Sequence, residues 1–125
     1  MVKLLYVGLG GFLGSVSRYL LSGFIHKLFD KSLFPIGTLT VNVIGCFLIG
    51  FLNGIGDSRQ VFTPEFRLFV FIGVLGGFTT FSTFGYEVFT FAHDAQFFSS
   101  LLNIALHLIL GLGAVWLGYS FSKFI

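Results

Sequence analysis

The sequence predicts an all-α membrane protein with four transmembrane helices per chain and a third helix broken near its middle. It further predicts that two oppositely oriented copies assemble as an antiparallel, dual-topology homodimer. Three observations carry this reading. Hydrophobic residues make up 55% of the 125 residues and charged residues only 10%, against about 25% charged in soluble domains. Apolar segments near the length of about 20 residues needed to cross a bilayer recur along the chain. Finally, the cationic residues flank these segments without a strong bias to one side, which leaves the orientation weakly set.

The first span is expected at Leu4–Ile25. Lys3 followed by apolar Leu4–Val16 has the form of a secretory signal, but apolar character resumes at Tyr19 and three more apolar segments follow. A retained helix fits this pattern better than a cleaved leader. The second span is expected at Ile36–Ile55, after Pro35, the third at Phe66–Ala92 and the fourth at Leu101–Phe121. The links are short and polar, so residues 1–125 form a single domain. Small residues repeat at four-residue spacing as Gly10/Gly14, Gly50/Gly54, Gly73/Gly77 and Ala114/Gly118, a pattern that lets helix backbones approach closely. Cys46 stands alone, which excludes an internal disulfide and a multi-cysteine metal site. A net charge of +2, scattered along the chain, gives no nucleic-acid footprint.

The third span reads badly as one uninterrupted helix. It contains Gly76-Gly77-Phe78-Thr79-Thr80-Phe81-Ser82-Thr83-Phe84-Gly85. Each helical glycine costs about 1 kcal/mol relative to alanine, and the hydroxyls that follow compete for backbone groups. Hydrocarbon offers no water to a freed N–H or C=O, so irregular backbone persists there only against protein or a water-filled cavity. Discontinuous helices of this kind form ion sites, and the stretch is expected to be the functional centre.

With four spans, Lys3, Arg59, Arg67 and Lys123 share one side, while Lys27 and Lys31 lie on the other. A chain so weakly biased inserts in either orientation, and four short helices are too few to enclose a path alone. Both points lead to the antiparallel pair.

Several side chains are candidates for an ion path. Phe78, Phe81 and Phe84 fall at i, i+3 and i+6, on adjacent positions of one helical face, interleaved with Thr80, Ser82 and Thr83. With 19 phenylalanines in the chain, a Phe stripe is ordinarily lipid contact; hydroxyls beside it have no reason to face lipid. Ring edges carry partial positive charge and suit a small anion. Arg18 lies some fourteen residues into the first span, either as a functional charge at membrane depth or as an anchor snorkelling to a wet end near Ser15, Ser17 and Ser22. Glu87 is the one acid inside an apolar segment. Asn42, Cys46, Ile49 and Asn53 share a face of the second span; Asn42 offers two N–H donors to an anion or makes an interhelical hydrogen bond. On the fourth span Asn103, His107, Gly111 and Ala114 share a face, with His107 structural or path-lining. No P-loop, HExxH, nucleophile–base spacing or dinucleotide fingerprint is present, so no enzyme is expected.

Gly76-Gly77-Phe78-Thr79-Thr80-Phe81-Ser82-Thr83-Phe84, with Gly37-Thr38-Leu39-Thr40-Val41-Asn42 upstream and Arg18 in the first span, resembles the Fluc (CrcB-type) fluoride channels. The match covers essentially the whole chain. The resemblance implies passive export of toxic fluoride across the cell membrane (the inner membrane in a Gram-negative cell) by a dual-topology dimer with two pores. It implies that Phe81 and Phe84 present ring edges to fluoride, that Asn42 is the pore asparagine, and that Ser82 and Thr83 form a hydroxyl track. It also implies a structural, non-transported Na+ held by the backbone carbonyls of Gly76 and Thr79 from both copies. Arg18 matches an arginine that makes the vestibule electropositive, and Glu87 an acid that follows the motif. His107 lies within the family's range, whereas Gly111 stands where members often carry a hydroxyl residue. Two other classes share the length and helix count. A small multidrug exporter uses an acid in its first helix, where this chain has Arg18 and no acid. An assembly subunit without transport would move no ion under any gradient.

Overall fold

A computed structural model describes residues 1–29 and 32–125. Among them helix is the only regular secondary structure, and four stretches are long and apolar enough to cross a membrane: Val2–Leu28, Ile36–Arg59, Pro64–His93 and Phe97–Ser122. The first two are helices α1 (Val2–Leu28) and α2 (Ile36–Arg59). The third stretch comprises α3 (Pro64–Arg67), a π-helical segment (Leu68–Leu75), α4 (Gly76–Phe78) and α5 (Phe81–His93). The fourth is α6 (Phe97–Ser122). The chain is thus a multi-pass membrane protein, and each span extends a few residues past its expected bounds because apolar periodicity fades before helical hydrogen bonding does.

The helix starts follow local chemistry. The side chain of Thr63 accepts from the Phe66 amide at 3.2 Å and Pro64 occupies the first turn, where a missing N–H costs nothing. Thr80 plays the same capping part for α5. The wide π-helical turns of Leu68–Leu75 carry no sequence signal that was read; such turns cluster at functional sites.

The small-residue pairs do what their spacing implied. Gly10 and Gly14 are the buried residues of α1 and cross the π-helical segment and α4; a methyl group on Gly14 would collide with the Val74 carbonyl oxygen. Gly50 and Gly118 let α2 and α6 meet backbone to backbone, at Val115 and Phe47 respectively. Without a hydrophobic drive between helices in lipid, such contact is the main source of packing energy. Gly118→Ala is therefore expected to destabilise the fold by about 1–3 kcal/mol through overpacking. Gly8, which has open space around it, should tolerate alanine or gain up to about 1 kcal/mol of helix propensity. Denaturation of the two variants in detergent checks the contrast.

Few large side chains are enclosed: Val41, Leu75 and Phe78 are buried, while Leu4, Phe12, Phe24 and Trp116 among many others are exposed. This outward apolar surface is suited to hydrocarbon. At one end Arg59 donates to the Ile125 carbonyl, which places the link after α2 and the chain end on one side, as the four-span topology requires. Lys31, counted for the opposite side, lies outside the described residues.

Candidate functional site

The third stretch breaks at Thr79 and Thr80, both in extended conformation (φ −84°, ψ 157° and φ −149°, ψ 114°). The expectation of a break is met, and of the two causes read in the sequence the hydroxyl residues, not the glycines, make it. Gly76 is helical (φ −64°, ψ −36°), and Gly77 sits against α1, where a Cβ would come within 2.6 Å of the Gly11 carbonyl oxygen. Gly77 serves the helix crossing and Gly76 continues the helix; the threonines leave it.

Asn42 on α2 braces the break. Its Oδ1 accepts from the Thr80 amide at 2.8 Å, and its Nδ2 donates to the Thr80 carbonyl at 3.1 Å. A continuous helix would give the Thr80 N–H to the Gly76 carbonyl, so this diversion frees Gly76 of its ordinary donor. Arg18 extends Nη1 to the Thr79 carbonyl at 3.4 Å. Arg18 therefore reaches the broken backbone of the third stretch. Thr80 Oγ1 then accepts from the Thr83 amide at 3.2 Å and lies 3.0 Å from Thr83 Oγ1 and 3.3 Å from Ser82 Oγ. The polar residues of the motif are thus spent first on each other.

Two cavities meet at Thr80. One, of about 380 Å³, is lined by Asn42, Cys46, Gly76, Phe81, Phe84 and His107 among others, and Gly111 forms part of its wall. The other, of about 410 Å³, is lined by Arg18, Ser22, His26, Thr38, Thr80 and Thr83. The break therefore brings Asn42 together with both candidate phenylalanines, while Thr83 faces the cavity that holds Arg18; Ser82 lines neither of these two. The rings of Phe81 and Phe84 are 5.6 Å apart, and that of Phe84 is 4.3 Å from His107. Phe78 does not share their face: it precedes the break and is buried beside Gly45, because two extended residues reset the helical register between positions 78 and 81.

Glu87 ties three helices together. The Thr38 hydroxyl of α2 donates to Oε1, and Asn103 Nδ2 of α6 donates to Oε2 at 3.5 Å. It also lines, with His26, a third cavity of about 290 Å³. His107 Nδ1 meets the Asn103 carbonyl at 3.0 Å. Asn53, on the Asn42 face of α2, donates to the Ile49 carbonyl of its own helix at 2.8 Å. Thr38 was read only as part of the motif upstream of Asn42, with no role of its own, and His26 lies at no motif spacing; the packing of α1, α2 and α5 reveals what both do. Thr80 had a readable signal, a threonine three residues before another hydroxyl residue at a helix start.

The chain is similar to known proteins over nearly its whole length. A family model described as CrcB-like protein, Camphor Resistance (CrcB), matches residues 5–119. A protein of Geobacter sulfurreducens named fluoride-specific ion channel FluC is 45% identical over 118 residues, covering 94% of each chain. Its namesake in Shewanella loihica is 46% identical over the same coverage. Fluoride-specific ion channel FluC 3 of Methanosarcina barkeri is 40% identical, over 94% of this chain and 88% of its own. Matched across nearly its full length by both the family model and these relatives, the chain belongs to the CrcB-like family.

Proposed function

We propose that this chain is a fluoride-selective channel that lets fluoride leave the cell passively. Its relatives bear that name, and the observation that carries the reading here is the break at Thr79–Thr80, whose backbone and hydroxyl groups face cavities rather than lipid. Fluoride is small and strongly hydrated, so crossing requires replacement donors. The second N–H of Asn42, the Ser82 and Thr83 hydroxyls and the edges of Phe81 and Phe84 supply them, and Arg18 adds a fixed positive charge that draws anions. A narrow bore excludes larger anions, and each donor holds the ion weakly enough to release it.

An antiparallel second copy completes the path. Phe81 is 82% exposed in the single chain, although it stands beside the polar break, and the cleft it lines is open on that side. The same pairing would bring two sets of Gly76 and Thr79 carbonyls together. Gly76 lacks its helical donor, and carbonyl oxygens suit a hard cation. A Na+ held there would be structural, adding positive charge without being transported. Arg18, already bonded to the Thr79 carbonyl, would share that oxygen with it. Glu87 and Asn103 brace the path at its far end, and His107 lines it.

Fluoride-electrode recording of efflux from reconstituted liposomes tests the reading. Rapid fluoride loss dependent on protein, absent for chloride, is expected, and preparation without Na+ should weaken it. Liposomes that retain fluoride as well as protein-free controls would overturn the assignment.

A further inference from the structure

Helix α6 packs on α2 and α5, and it brings two polar residues, Asn103 and His107, to the same side one turn apart. Asn103 is fully buried at 0% exposure. Its Nδ2 points to Glu87 Oε2, which fixes the amide's sense, since the flipped amide would set oxygen against a carboxylate. Asn103 Oδ1 is then a buried acceptor with no partner among the described residues. His107 Nδ1 faces a carbonyl. A carbonyl only accepts, so Nδ1 carries the hydrogen and neutral His107 has a lone pair at Nε2. That atom too is buried without a partner among the described residues.

Of these two orphaned acceptors, His107 belongs to the wall of the cleft read as an anion path, and a lone pair there is in conflict with it, because lone pairs repel an anion. A proton on Nε2 removes that conflict at His107. We propose that His107 is a proton-binding site of the cleft, and that its Nε2–H, formed on protonation, is a donor to fluoride, so that proton and fluoride bind there cooperatively. The inference rests on the fluoride reading above. The proton comes from water in the cleft and adds to Nε2 while Nδ1–H stays on the Asn103 carbonyl. When fluoride leaves, the proton returns to water, and no bond to fluoride is broken. The groups facing His107 are few. From α2 the Cys46 thiol shares the cleft. From α5 come the Phe84 ring and, through Asn103, the Glu87 carboxylate. Among the described residues no lysine or arginine lines the cleft, so none of them opposes the added proton there.

The test is ¹⁵N NMR of histidine-labelled protein, with His107→Gln used to assign the His107 signals against His26 and His93. At alkaline pH the Nδ1–H tautomer is expected. Sodium fluoride should raise the His107 titration midpoint by about half a pH unit or more, a roughly three-fold preference of the anion for the protonated form; sodium chloride should leave it in place. A midpoint unmoved by fluoride, or an Nε2–H tautomer at alkaline pH, overturns the proposal whatever the variant does. Efflux measured at pH 8 and pH 6, corrected for protein-free vesicles, separates the two readings. Flux present with an unmoved midpoint rejects the proton site alone, whereas no protein-dependent flux at either pH rejects the channel.

Discussion

Replacing Phe81 and Phe84 together by isoleucine is expected to lower fluoride efflux roughly a hundred-fold, at about 1.5 kcal/mol for each ring edge lost. The expectation follows from what the rings can do that an aliphatic side chain cannot. Their edges carry partial positive charge, so they attract an anion without a formal charge that would trap it. Isoleucine keeps apolar bulk but offers no such edge, and the barrier for a desolvated anion rises. The rings are 5.6 Å apart, close enough for both to contribute to one passing ion. Phe81 is largely exposed within the chain, and neither phenylalanine belongs to the buried core formed by Val41, Leu75 and Phe78. The double variant should therefore fold, elute from size exclusion as the wild type does and fail only in transport. Undiminished efflux from liposomes carrying it would remove the aromatic part of the path.

The four spans were legible because a bilayer imposes one dominant constraint, an apolar run of sufficient length, and Pro35 marks the second helix start, whereas Pro64 opens the third two residues before its expected Phe66. The presence of a break was also legible, through the density of hydroxyl residues in hydrocarbon. Its position was not. Gly76 and Gly77 look like helix breakers by propensity, yet both stay helical; Gly77 is held in the crossing with α1 at Gly11, where tertiary packing overrides a cost of about 1 kcal/mol per residue. Phe78 was misplaced for the same reason, since the stripe at i, i+3, i+6 presumes unbroken helix. The partners of the buried polar groups were out of reach altogether. Nothing in the spacing joins Thr38 to Glu87 or Asn42 to Thr80, which lie 49 and 38 positions apart.

That last pairing gives the second large effect. Asn42→Leu is expected to abolish conduction and to cost about 2–6 kcal/mol of stability, because it leaves two backbone groups without partners at about 1–3 kcal/mol each. In soluble protein water would replace the lost amide; in hydrocarbon it does not. The Thr80 N–H has an obvious alternative, the Gly76 carbonyl of a continuous helix, and taking it would close the break and withdraw Thr80 from the junction of the two cavities. Asn42→Asp separates brace from path. An ionised aspartate still accepts from the Thr80 amide, but it turns a second oxygen toward the Thr80 carbonyl and puts negative charge at the anion path. It should fold better than the leucine variant at neutral pH and yet pass no fluoride. Comparing the two by thermal unfolding in detergent and by liposome efflux distinguishes these roles. If the leucine variant is as stable as wild type and still conducts, Asn42 neither holds the backbone open nor serves the ion.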